Sequence, residues 1–235
     1  MDARPATPTA PCTQEGDDEI FALLMAWFSP ALPIGGFSYS HGLETLVASG
    51  AIADAAGAEG VITAALQDGA GRSDAILLCE AYRAQRVDDA TRLQEVAALA
   101  LALAPSRERA DEALNQGSAF GQIVGTVWGT GNTVQGEMAF PVAVGIAGAV
   151  HQIPVERLTY GFLLGFSANL VSAAVRLVPL GQTDGQRLTR ALSPVARAVA
   201  GAAISASLDD VGSATIGLDL ASMRHEDQNV RLFRS

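Results

Sequence analysis

Residues 29–44 read SPALPIGGFSYSHGLE and gather the side chains best suited to chemistry, with Ser38, Ser40 and His41 close together. A hydroxyl bonded to an imidazole is the start of a nucleophilic site. One reading is therefore a small-molecule hydrolase or pocket protein that uses these three residues. The pattern falls short of the nucleophile elbow, which is G-x-S-x-G on a strand-to-helix turn. In GFSYS the fifth position is Ser40, and no strand pattern precedes it. A second candidate, GSAFG at residues 117–121, places its serine directly after the first glycine. Ser38 and Ser40 also suit helix caps.

Metal and phosphate chemistry have weaker support. The three histidines, His41, His151 and His225, are far apart, and neither Cys-x-x-Cys nor His-x₃-His occurs. His225, Glu226 and Asp227 are consecutive, and neighbours on a helix do not face one site. The stretch GTGNTVQGE at residues 129–137 is glycine-rich but follows no strand. All fifteen cationic residues are arginine. A P-loop lysine and a Schiff-base amine are therefore both missing from this chain. The expectation is that no cofactor is bound directly. The net charge is −10 with no basic face, which argues against nucleic acid.

The elements that must position these residues read as helices. The chain has 235 residues, 49% of them hydrophobic but only 6% aromatic, which favours close helix packing over a β-sandwich. Helices are predicted over 19–28, 40–49 and 54–68, after Ser73, after Asp88 or Asp89, and after Ser106. Further helices are predicted over 141–150, 154–178, from Thr183 or Asp184 to Leu192, afresh from Ser193-Pro194, and over 219–226. The expected fold is a single all-α domain of about ten helices. Its parts are a disordered lead-in (1–18), a helical body (19–222) and a flexible, partner-binding tail (223–235). The apolar run from Ala139 is broken too often by polar residues for a membrane span, which needs about 20 apolar residues. Cys12 and Cys79 make no disulfide framework, and the first residues lack the pattern of a signal peptide, so a cytoplasmic protein is expected.

Three blocks carry more than composition does. SPALPIGGFSYSHGLE resembles the N-terminal signature of the urease accessory protein UreF family. NLVSAAVRLVPLGQTDGQRL (169–188) resembles its central signature, and LDLASMRHEDQNVRLFRS resembles its C-terminal end. The blocks occur in the family's order, and the resemblance covers residues 20–235. Departures are the region 127–138, Phe140-Pro141 in place of a common Tyr-Pro pair, and Asn229 where an aromatic is frequent.

The resemblance implies an all-helical, dimeric, non-enzymatic maturation factor. Such proteins join UreD (UreH in some systems) and the GTPase UreG, and the assembly delivers nickel to apo-urease. Nickel and GTP would be handled by the partner proteins. Under this reading the loop is an interface. Pro33 limits the entropy lost on docking, and Gly35 and Gly36 allow close backbone approach. Phe37 and Tyr39 are anchors, while His41 and Glu44 make polar contacts. The tail would contribute Arg224, His225, Glu226, Arg231, Leu232, Phe233 and Arg234, since arginine and aromatic residues are favoured at interfaces. The first helix, the loop and the tail are expected to lie together as the surface that faces UreD.

Overall fold

A computed structural model of the chain describes residues 14–129 and 137–235. Among these the chain forms ten α-helices and no strand. They are α1 (Gln14–Trp27), α2 (Leu43–Ala48), α3 (Ala55–Gln67), α4 (Ala70–Arg86), α5 (Ala90–Ala102), α6 (Arg107–Val127), α7 (Phe140–Val150), α8 (Val155–Leu177), α9 (Gln182–Ser205) and α10 (Ile216–His225). The all-α, single-domain expectation is met.

The centre of the molecule is α7. Its sequence, FPVAVGIAGAV, has no polar residue, and every residue from Pro141 to Ala149 is buried. A helix that is apolar all round must be covered on all sides. Here α4 and α6 flank it, and α4 also meets α3, α5, α8 and α9. The α6–α7 approach is too close for any side chain at one point. A Cβ on Gly117 would collide with the Met138 carbonyl oxygen. By length and composition alone α8 could cross a membrane, but half of its most apolar window is buried in the protein, and it packs along α9.

Several element boundaries differ from those read in the sequence. The lead-in was expected to reach Asp18, yet α1 begins at Gln14. Asp17 and Asp18 act within the first turns rather than as caps. There their charge suits the helix N-terminus, and Asp17 also accepts a hydrogen bond from Arg157 at 2.6 Å. The chain before Gln14 and most of the glycine-rich stretch 129–137 lie outside the described residues. At α4, Ser73 is not the cap. The helix starts at Ala70, and the Ser73 hydroxyl donates to the Gly212 carbonyl at 2.8 Å.

The expected break at Ser193-Pro194 is absent, and α9 runs through it as one helix. The buried residues Leu188, Leu192, Ala196, Val199, Ala200 and Ala203 form one stripe on both sides of the proline. Interior proline costs about 3 kcal/mol or more. Burying that stripe against α3, α4 and α8 exceeds this cost. Pro194 itself is on the exposed face, where water can hydrate the carbonyl it leaves unpaired. Ser193 bonds to the Tyr160 hydroxyl at 2.8 Å instead of capping.

Candidate partner-docking site

The connection from α1 to α2 contains one 3-10 turn, Gly36–Ser38. Helix α2 starts at Leu43 rather than Ser40 because the chain reverses at His41 and Gly42, whose φ angles are 54° and 80°. Left-handed backbone is strained for histidine. Surrounding contacts hold it there, as described below. Gly42 is required on two counts. Its φ is positive, and a Cβ there would lie 2.8 Å from the Ser222 nitrogen of α10. The loop is thereby pressed directly onto α10.

The tail was expected to be flexible. Instead it folds back over this loop. Arg234 N–H donates to Ser38 O at 2.8 Å, and Ser40 N–H donates to Ser235 O at 2.6 Å. The Ser40 hydroxyl also donates to Ser235 O. Phe233 is buried, at 4% exposure, among core residues. Arg176 of α8 lies 4.2 Å from the centre of the Phe233 ring and donates to Phe37 O at 2.6 Å, so one guanidinium ties loop to tail. The physical reason is that the tail's one aromatic has an apolar socket in its own chain, and its backbone N–H groups find acceptors there.

Those acceptors form the first of two polar clusters. The Glu44 carboxylate accepts from Leu232 N–H at 2.6 Å and from Phe233 N–H at 2.9 Å. His225 is fully buried and sits between two acids, with Nε2 3.0 Å from Glu44 and Nδ1 2.7 Å from Glu108 of α6. Arg231 closes the cluster on Glu108 at 2.6 Å. Burial alone would push the Glu44 carboxyl up. The His225 bond and the two backbone donors outweigh it and hold the group below its ordinary value.

The second cluster is centred on Glu112 of α6. Arg109 donates to Glu112, His41 Nε2 lies 3.0 Å from it, Gln116 donates to it at 2.8 Å and the Ser235 hydroxyl at 3.2 Å. Burial would raise the Glu112 carboxyl, but Arg109 and His41 together bring it down to about 2. Burial lowers the His41 imidazole from its ordinary value, and Arg109 lowers it further. Arg109 Nη1 is 2.6 Å from His41 Nε2, the same nitrogen that lies 3.0 Å from Glu112, so this atom can accept from the guanidinium or donate to the carboxylate but not both at once. Beside this cluster lies a cavity of about 290 Å³, walled on its apolar side by Phe28, Phe140, Phe162 and Phe166. Phe140, the departure from the Tyr-Pro pattern, meets Phe120 edge-to-face and Phe162 at a tilt.

The structure thus brings Tyr39, His41, Glu44, His225, Arg231 and Phe233 into one assembly, with the Tyr39, Glu44, His225 and Phe233 side chains buried inside it. Phe37 and Leu232 stay exposed at 66% and 63%, on segments joined by the Ser38–Arg234 bond. Pro33, Arg224 and Arg234 are exposed as well. Gly35 is left-handed and faces open space, whereas Gly36 presses on the Asn169 amide. Glu226 accepts from Arg107 N–H at 2.8 Å and so caps α6. Among the described residues no hydroxyl bonds to an imidazole. The Ser40 hydroxyl is bonded to Ser235, while His41 Nε2 lies against Arg109 and Glu112. Among the described residues no group of three or more His, Cys, Asp or Glu is arranged to hold a metal ion.

Sequence reasoning did not single out Glu108, Arg109, Glu112, Asn169 or Arg176. A usable signal existed for three positions on α6. Glu108, Glu112 and Gln116 recur every four residues and therefore share one helix face.

Comparison with known proteins identifies the family. The UreF family model matches residues 52–193. A urease accessory protein UreF of Bradyrhizobium sp. (strain ORS 278) is 51% identical over 227 residues, covering 94% of this chain and 95% of that protein. A urease accessory protein UreF of Rhodopseudomonas palustris (strain BisA53) is 50% identical over 218 residues, covering 90% and 92%. The chain belongs to the UreF family of urease accessory proteins.

Proposed function

We propose that the protein is a cytoplasmic, non-enzymatic urease maturation factor. It acts as a scaffold, as a homodimer, that binds UreD (UreH) and the GTPase UreG and helps deliver nickel into apo-urease. The observation that carries this reading is the near full-length likeness to proteins named urease accessory protein UreF. The geometry supports it in a second way. Loop and tail form one surface on a rigid helical body, and rigid surfaces lose less entropy on docking. Phe37 and Leu232 are the exposed anchors of that surface, with Pro33, Arg224, Arg231 and Arg234 around them. Nickel is cargo and GTP belongs to UreG in this reading. The reading as a hydrolase loses its basis with the separation of Ser40 from His41.

The test is co-expression of the tagged chain with UreD and UreG, as the full chain and as Phe37→Ala/Leu232→Ala. Both side chains are exposed, so the fold is expected to persist. Capture of UreD by the full chain and its loss from the double variant is the expected result. Equal capture by both would refute the placement of the surface. Failure of the folded full chain to capture UreD would refute the scaffold reading itself.

A further inference from the structure

The cavity of about 290 Å³ beside the Glu112 cluster has the make-up of a ligand pocket. Such pockets are mostly apolar, with a few polar groups that fix orientation, and span about 300–1,000 Å³. Aromatic rings line one side, with Phe28 following α1, Phe140 on α7, and Phe162 and Phe166 on α8. The loop borders the other side with Pro30, Leu32 and Ile34. The polar residues on the lining divide into two sets. Arg109, Glu112, His41 and Gln116 are occupied with one another. Asp74 of α4 and Asn169 of α8 also border the cavity, and among the described residues neither side chain is hydrogen-bonded. Arg109 and Glu112 neutralise each other, so an ionised Asp74 leaves the lining with negative charge in excess.

We infer that this cavity binds a small organic cation, an ammonium group on an aryl or similarly broad apolar body. Aromatic faces attract a cation placed over them. The Asp74 carboxylate would accept a charge-assisted hydrogen bond from the ammonium, and the Asn169 side-chain oxygen a second one. An anion finds no cation to spare, because Arg109 is already paired. A bare metal ion lacks ligands, since no group of three or more His, Cys, Asp or Glu is arranged to hold one among the described residues. The rings also choose between sources of the cation. They present a wall broad enough for another ring, which the slender stem of a lysine side chain from a docking protein would leave partly uncovered. The site therefore goes to a free amine. It lies beyond the scaffold reading and does not depend on which protein docks on the loop.

The experiment is calorimetric titration of the full chain with three probes that share one stem, phenethylammonium, 2-phenylethanol and phenylacetate. Burial pushes the Asp74 carboxyl up to about 7, so pH 8 presents it ionised. Phenethylammonium should bind about tenfold more tightly than the alcohol, as expected of a hydrogen bond to a charged group, and phenylacetate should bind most weakly. Asp74→Asn should abolish the preference for the amine and leave the alcohol's affinity within about twofold. Equal affinity for amine and alcohol, or no binding of the amine, would overturn the inference. N-acetyl-lysine N-methylamide carries the same head on a peptide stem, and tighter binding of it than of phenethylammonium would overturn the assignment to a free amine. Carbon-detected NMR of the native chain locates the site without a variant. Shifts at the Asp74 carboxyl and the Asn169 side-chain carbonyl support it, and shifts confined to other residues refute it.

Discussion

Replacing Phe233 with alanine tests whether the C-terminal segment is part of the core. The ring is buried among core residues and lies under the Arg176 guanidinium. Emptying such a site costs about 3–5 kcal/mol, and the lost cation–π contact adds about 1 kcal/mol. The remaining grip on the tail is a handful of hydrogen bonds, at Glu44, Ser38, Ser40, Glu108 and Glu112, each worth about 1 kcal/mol net. Grip and loss are therefore of similar size. The tail should come away locally, and because ordering its backbone costs about 1–2 kcal/mol per residue, the net docking energy that caps the loss felt by the whole fold is well below the sum of these contacts, about 2–3 kcal/mol. Melting should drop by about 4–12 °C, at about 2–4 °C per kcal/mol for a chain of this size. Hydrogen exchange should locate the change, with protection falling at Leu232, Phe233 and Ser40 while the amides of α4, α7 and α8 hold theirs. Unchanged protection at Leu232 and Ser40 would refute the reasoning, as would collapse of the whole helical signal.

Three further outcomes are expected. Gly42→Ala combines a disfavoured positive φ with a clash against α10, so it should cost about 1–3 kcal/mol and weaken the protection of α10 amides before the rest. Gly117→Ala forces α6 off the start of α7 and should cost more than 3 kcal/mol, read as a lowered denaturant midpoint. Asp74→Asn should stabilise the protein above neutral pH. The folded chain holds a proton on Asp74 up to about 7, against 3.8 for a free carboxyl. Stability therefore falls as pH rises between those values, by at most about 4 kcal/mol and by less to the extent that cavity water reaches the carboxylate. The variant should gain that amount at pH 8 and nothing at pH 4, measured by urea unfolding. Glu112 has the opposite sign. Its stabilising contribution is present above the ordinary carboxylate value and is lost only as pH falls toward 2.

Much of the fold was legible because helices are announced by local chemistry. Asp54, Asp89 and Ser106 cap their helices as their residue types suggest, each accepting a backbone N–H from the first turn. Pro141 sits at the start of α7, as its lost N–H allows. Local chemistry failed where distant packing decided the matter. Nothing near Pro194 reveals that a stripe on both sides of it is buried by α3, α4 and α8. The proximity of loop and tail was an expectation of the family resemblance, but the burial of His225 and Phe233 was not. Both look like surface residues until Glu44, Glu108 and Arg176 arrive from elsewhere in the chain. On α6, the polar face carrying Glu112 and Gln116 is buried because it meets the tail, which no property of α6 alone could reveal.

The bonds between Ser40 and Ser235 span 195 residues. A growing chain lengthens by about 5–20 residues per second, so the loop waits roughly 10–40 s for the segment that closes it. During that interval α2 lacks its partner α10, Glu44 lacks its backbone donors, and Glu112 lacks Ser235. The helical body can form meanwhile, since α4, α7, α8 and α9 are all made earlier. A chain cut short by stalled synthesis would then carry a folded body with an unfinished surface. If that surface docks a partner as proposed, its binding would report on whether synthesis had reached Ser235.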